Sequence, residues 1–135
     1  MPDDGFFNRP VLQLQEAKDE FSIGNINFQC FEQDHGFSST LGLRFAAVGY
    51  STDVVRLNET AFDILDGIEL FIIGCLREHP HPTHVDLPTV LSWIMRIGPK
   101  RTIITHMNDT LDYGDVKMKV PPSVEPAYDG LVISK

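Results

Sequence analysis

The segment Ile68 to Leu76, with its apolar core Leu70-Phe-Ile-Ile-Gly-Cys-Leu76, constrains this chain more than any other. A run of strand length without polar alternation is the pattern of a β-strand covered on both faces. The residues downstream of it support that reading. Asp86 is placed to cap a helix, Pro88 falls in its first turn, and Val90, Leu91, Ile94 and Ile97 recur at helical spacing. Gly98-Pro99 stops the helix, and Thr102 to Thr105 is a second short buried strand. Upstream, Asn58 is positioned to cap a helix over residues 59–65 that ends near Gly67.

Earlier still, alternation predicts strands over residues 25–31, with Ile26, Phe28 and Cys30 on one face, and over 41–48, with Leu41, Leu43 and Phe45 on one face. Val11 to Gln15 alternates as well and reads as a further strand, after an opening stretch rich in Pro, Gly and Asp. Pro121-Pro122 precedes an expected last strand, Leu131 to Ser134. A meander followed by helix, strand, helix, strand predicts an α/β (α+β) layer: one mixed sheet covered by helices. Residues 1–135 read as a single domain.

Net charge is −8. That balance works against a broad basic surface for nucleic acid or an anionic membrane, while a small phosphate ester in a local site is compatible with it. The apolar stretch is too short to span a bilayer, and the first residues are acidic where a signal peptide would be basic, so the expected location is cytoplasmic. The two cysteines, Cys30 and Cys75, sit in apolar surroundings without a C-x-x-C pair and are expected to be buried thiols.

Chemistry concentrates in the five histidines, His35, His79, His81, His84 and His106. His35 and His106 directly follow strand-like segments, and Asp53 follows Val48-Gly49-Tyr50. Strand ends are rigid anchors with free side chains, and imidazole with carboxylate suits zinc, manganese or iron. The plainer reading of the same residues is polar loop decoration. In His79-Pro-His-Pro-Thr-His84 the prolines force extended backbone before them, so the segment is either a stiff surface loop or a set of histidines aimed to one side. There a histidine can ligate a metal, donate a proton or hold a phosphate oxygen.

Gln33-Asp-His-Gly36, Tyr50-Ser-Thr-Asp53, Pro80-His-Pro-Thr-His84, Thr105-His-Met107 and Tyr128-Asp-Gly130, in that order, resemble the later motifs of the metallo-β-lactamase superfamily. The branch they resemble most is the phosphodiesterase group that includes the phosphoribosyl cyclic phosphate phosphodiesterase of phosphonate utilisation. The resemblance implies the C-terminal half of an αββα sandwich and metal-dependent hydrolysis of a phosphodiester or cyclic phosphate, with a thioester, lactam or other ester as rival substrates. It implies two divalent ions, zinc or manganese. His35 then ligates the first, His106 the second, and Asp53 bridges both. His84, with His81 beside it, meets the substrate phosphate, and His84 assists proton transfer; Asp53 belongs to the catalytic centre.

Two departures bear on these expectations. The family's His-x-His-x-Asp-His motif is absent upstream of His35, which leaves two protein ligands per ion and predicts weak or absent metal binding by this chain. Gly74 stands where this branch carries an acidic residue. The expected sheet also has an apolar face without its partner sheet, so the chain should self-associate or pair with the missing N-terminal half. The alternative to an enzyme is a non-catalytic interaction module that pairs through that face.

Overall fold

The computed structural model describes residues 12–134. The elements run β1 (Glu20–Ile23), β2 (Ile26–Asp34), β3 (Ser39–Phe45), β4 (Val48–Ser51), α1 (Glu59–Leu65), β5 (Leu70–Gly74), α2 (Leu87–Ile97), β6 (Arg101–Thr105), α3 (Tyr113–Lys119) and β7 (Val124–Pro126). They form one seven-stranded sheet in sequence order. β1 to β4 pair antiparallel, and β4 to β7 pair parallel. Each parallel step needs a crossover, and α1, α2 and α3 supply the three.

The helix ends follow local chemistry. Asn58 accepts from the Ala61 N–H at 2.8 Å, and Asp86 from the Thr89 N–H at 2.9 Å. Gly98 ends α2 at φ +68°, a left-handed position that favours a residue without a Cβ.

One face of the sheet is the core. Phe31, Phe71, Ile73, Ile104 and Val124 point into it and meet Ala61 and Leu65 of α1, Val90, Trp93 and Ile94 of α2 and Val116 of α3. The expectation of a mixed sheet covered by helices holds. Both cysteines are buried free thiols, and burial pushes Cys75 up to about 12, so it is an inert side chain.

Three expectations are corrected, and one helix was not foreseen. Residues 12–15 are not a strand: Leu12 and Leu14 are 77% and 97% exposed, so their alternation has no sheet to face, and Val11 lies outside the described residues. The strand expected over 41–48 is two, β3 and β4, separated by a tight turn in which Ala46 takes φ +49°. The last strand is β7, ending on Pro126, rather than Leu131 to Ser134. An edge strand tolerates the missing N–H of a proline. Finally, α3 was not expected, because Val116 is its single buried residue and no helical period is legible.

The face opposite the helices carries Ile26, Phe28, Cys30, Leu41, Leu43, Phe45, Tyr50 and Ile72, as the sheet register requires. Ile26 and Leu41 are each 51% exposed, and Phe28, Leu43, Phe45 and Ile72 are only partly covered. Soluble monomers rarely expose more than a few hundred Å² of contiguous apolar surface. At about 25 cal/mol per Å², roughly 400 Å² left wet forfeits about 10 kcal/mol. The 135-residue chain should therefore associate with a second copy through this face. Light scattering should find a dimer or larger species that Ile26→Lys with Leu41→Lys returns to monomer. A monodisperse, cooperatively melting monomer of the unsubstituted chain would overturn the expectation.

Candidate metal centre

The site lies where β2, β4 and β6 end and the loop before α2 crosses them. His35 is the residue after β2. Its turn is closed by the His35 N–H donating to Ser38 O at 2.9 Å and the Gly36 N–H donating to Asp34 Oδ1 at 2.7 Å. Gly36 takes φ +84°, and a Cβ there would lie 2.7 Å from Pro82 O and 2.9 Å from Thr83 Cγ2. Both the backbone conformation and the close approach require glycine. Gly36→Ala should lower the melting temperature and separate His35 from the 80–84 segment. Unchanged melting together with unchanged His35 and Thr83 NMR shifts would contradict that packing.

Asp53 follows β4 at φ +53°, and His106 follows β6 at φ +60°. Non-glycine residues in the left-handed region are uncommon and concentrate where the surroundings over-determine them. Around Asp53 those surroundings are a buried polar network. Gln33, 1% exposed, donates from Nε2 to Thr52 O at 2.6 Å and to Thr40 Oγ1 at 3.0 Å. Ser51 Oγ donates to Gln33 Oε1 at 2.7 Å, and Thr40 Oγ1 donates to Asp53 O at 2.7 Å. Gly42 faces Gln33 and Phe31, and any side chain there would overlap both. The Val85 N–H donates to Val54 O at 2.7 Å, which docks the histidine-bearing loop beside Asp53.

These elements bring together the residues that the sequence scatters over four loops. One ligand atom each from His35, Asp53 and His84 lie within 4.8 Å of one another. His84 Nε2 is 3.4 Å from Asp53 Oδ1 and 3.3 Å from His106 Nε2, and His106 Nε2 is 3.6 Å from Asp53 Oδ1. The His35 ring meets the His84 ring edge-on at 4.8 Å, and the His84 and His106 rings stack at 5.1 Å. Burial holds His84 below the ordinary imidazole range, opposed by its contact with Asp53 and reinforced by the neighbouring His35 and His106. His81 stands behind His84, with ring centres 5.3 Å apart. His79 is exposed, and its carbonyl accepts from Arg77 Nε at 3.3 Å.

The donor set suits a divalent cation. Atoms around one ion at about 2.1 Å lie at most about 4.2 Å apart, and the 4.8 Å spread of the trio needs only a small closure. Gly74, at the end of β5, lies between two of the site's supports: a Cβ there would be 3.2 Å from Thr52 Cα and 3.5 Å from His106 Cβ. The small residue thus packs closely between Thr52 and His106, and a larger side chain there would ask Thr52 to shift slightly. Thr83, Gln33 and Thr40 were not singled out by sequence reasoning. A threonine between two site histidines was the one available signal for Thr83.

A helix-backed mixed sheet with three imidazoles and a carboxylate gathered at its strand ends is a partial metallo-β-lactamase fold. The chain belongs to the β-lactamase superfamily, whose domain model matches residues 5–107. Among solved structures it is similar to a new diphosphatase from the PhnP family, at 26% identity and TM-score 0.80, over 84% of this chain and 45% of that one. It shares its fold with the metallo-β-lactamase fold protein YhfI from Bacillus subtilis, at 12% identity and TM-score 0.68, over 83% of this chain and 51% of that one. The human short-form tRNase Z has the same fold at 13% identity and TM-score 0.64, over 86% of this chain and 47% of that one. The chain therefore spans about half the length of these solved relatives. A search of curated proteins gives no match. The PhnP-family likeness supports the phosphodiesterase-like branch. Among the described residues, no helix is long and apolar enough to cross a membrane.

Proposed function

We propose that the chain carries part of the metal centre of a hydrolase acting on phosphate esters, with a phosphodiester or cyclic phosphate as the substrate class. The observation that supports this is the convergence of His35, Asp53, His84 and His106 where β2, β4 and β6 end. His35, Asp53 and His106 would hold two zinc or manganese ions, with Asp53 shared between them. Such cations, when bound, polarise phosphoryl oxygens and lower the pKa of a bound water.

The chain's own residues do the rest. His84 sits against the Asp53 carboxylate, and burial keeps it neutral near pH 7, the state that can take up a proton and return it to a leaving oxygen. His81, behind it, offers a second imidazole to a phosphate oxygen. Phosphate chemistry is favoured over other esters by the 26% identity to a PhnP-family diphosphatase.

The test is calorimetry of the metal-stripped chain with zinc and with manganese, alongside hydrolysis of a model phosphodiester. Weak binding is expected, because few ligands serve each ion. Tight, stoichiometric uptake of two ions would contradict the ligand assignment, and no uptake at millimolar metal would sink the metal reading. A second reading, an interaction module without catalysis, is favoured by the half-exposed apolar face. Metal uptake without any hydrolysis, by a chain that assembles through that face, would support it.

A further inference from the structure

The loop that delivers His81 and His84 follows β5, and Arg77 and Asp86 pair across its base as an isolated parallel bridge. Pro80 and Pro82 lack an N–H, so the loop has few backbone donors of its own. Its half nearer α2 is tied to the rest of the fold. The Val85 N–H donates to Val54 O at 2.7 Å, and His35 Nδ1 lies 2.7 Å from Thr83 O. Its half nearer β5 is tied by one side chain. Arg77 Nε donates to His79 O at 3.3 Å, and Arg77 Nη2 donates to Pro80 O at 2.8 Å. Among the described residues, no other group donates to either carbonyl.

Two carbonyls on consecutive residues, met by two nitrogens of one guanidinium, suit arginine and not lysine. The planar fork holds several N–H donors in fixed relation, whereas an ammonium is a point donor on a flexible stem. Its positive charge strengthens both bonds. The residue directly after the clamped pair is His81. Its Nδ1 accepts from the Thr83 N–H at 3.3 Å, and its ring centre lies 5.3 Å from that of His84. Held on one side by the clamp and on the other by Thr83, His81 is kept against His84. Glu78 pairs with Lys119 of α3 at 2.8 Å, which steadies the base of the loop and leaves residues 79–81 to Arg77.

We propose that Arg77 is a positioning residue: its guanidinium clamps the carbonyls of His79 and Pro80 and so holds His81 behind His84, where it can meet a substrate phosphate oxygen. The assigned ligands His35, Asp53 and His106 follow β2, β4 and β6, outside the clamped segment, so loss of the clamp leaves cation binding in place. The catalytic value of the clamp rests on the phosphate-ester reading above; the placement of His81 by Arg77 does not.

Histidine ring signals of the labelled, metal-stripped chain read the placement by NMR, because neighbouring rings shift one another's protons. Arg77→Ala should move the His81 signals toward those of an unstructured histidine and the His84 signals by less, with His35 and His106 unchanged. Guanidinium at about 20 mM, far below the molar range in which it denatures, should return the His81 signals, and ammonium at the same concentration should not. Arg77→Lys keeps the charge and the stem and should shift His81 as the alanine variant does, which keeps the test open if Arg77→Ala folds poorly. In Arg77→Lys at saturating zinc, KM for a model phosphodiester should rise about 10-fold, with kcat and zinc affinity each within about threefold of the parent. Unchanged His81 signals in both variants would overturn the proposal, as would shifts spread evenly over all the histidines, the mark of general loosening. Full function in Arg77→Lys, or rescue of Arg77→Ala by ammonium, would overturn the fork. The expected His81 shifts in a chain that hydrolyses no phosphodiester would refute the phosphate-ester reading alone and support the clamp.

Discussion

Replacing Asp53 with alanine is expected to weaken divalent-cation binding by more than about 100-fold, beyond the range seen when a supporting group around a metal is lost. Asp53 brings a carboxylate oxygen within 3.4 Å of His84 Nε2 and 3.6 Å of His106 Nε2, and it is the anionic member of the group it forms with His35 and His84. Without it, neutral imidazoles alone face the cation. Zinc titration followed by calorimetry reads the loss, and hydrolysis of a model phosphodiester should fall with it. Asp53→Asn, which keeps the shape and removes the charge, should behave nearly as badly. Affinity within a factor of a few of the unsubstituted chain would remove Asp53 from the centre.

The second large effect is expected at His84. On the proposed function, with His84 as acid or base, His84→Ala should slow phosphodiester hydrolysis by about 10²–10⁴-fold, the usual contribution of a positioned acid or base. Zinc content should stay near that of the parent, because His35, Asp53 and His106 remain. The geometry makes this a sharp test, since His84 is as close to the shared position as the proposed ligands are. Loss of metal in the variant would make His84 a ligand and end its assignment to proton transfer. A rate unchanged within twofold would end both.

Much of this arrangement was legible in the sequence, and the parts that were not share a physical reason. α1 and α2 announced themselves through Asn58, Asp86, Pro88 and a period of 3.6, because capping and amphipathicity are local properties. The strand ends bearing His35, Asp53 and His106 were legible because each follows a short β-pattern. α3 was not, since Tyr-Gly-Asp-Val-Lys-Met-Lys buries Val116 alone and is held by its Asp112 cap and by contact with β7. Gln33 enters the sequence reading only within Gln33-Asp-His-Gly36; it is as buried as Phe31 because Ser51, Thr40 and Thr52 complete its hydrogen bonds across neighbouring strands. No window of sequence contains those partners. His35, Asp53 and His106 are expected as ligands of one centre and His84 as its catalytic histidine; in the structure the close trio is His35, Asp53 and His84, with His106 Nε2 3.3 Å from His84 Nε2 and 3.6 Å from Asp53 Oδ1.

The spacing of the site along the chain has a consequence for how the molecule comes into being. His35 meets Thr83 across 48 positions, Asp53 meets His84 across 31, and His84 meets His106 across 22. Closing such loops costs chain entropy before any contact rewards it, and pairings of this range form slowly. No hairpin or helix of this protein contains two of the four groups in working relation, so the centre exists only once β2, β4 and β6 lie in register. A ligand that recognises the assembled centre therefore binds the native state and not the unfolded chain, and it draws the folding equilibrium toward completion.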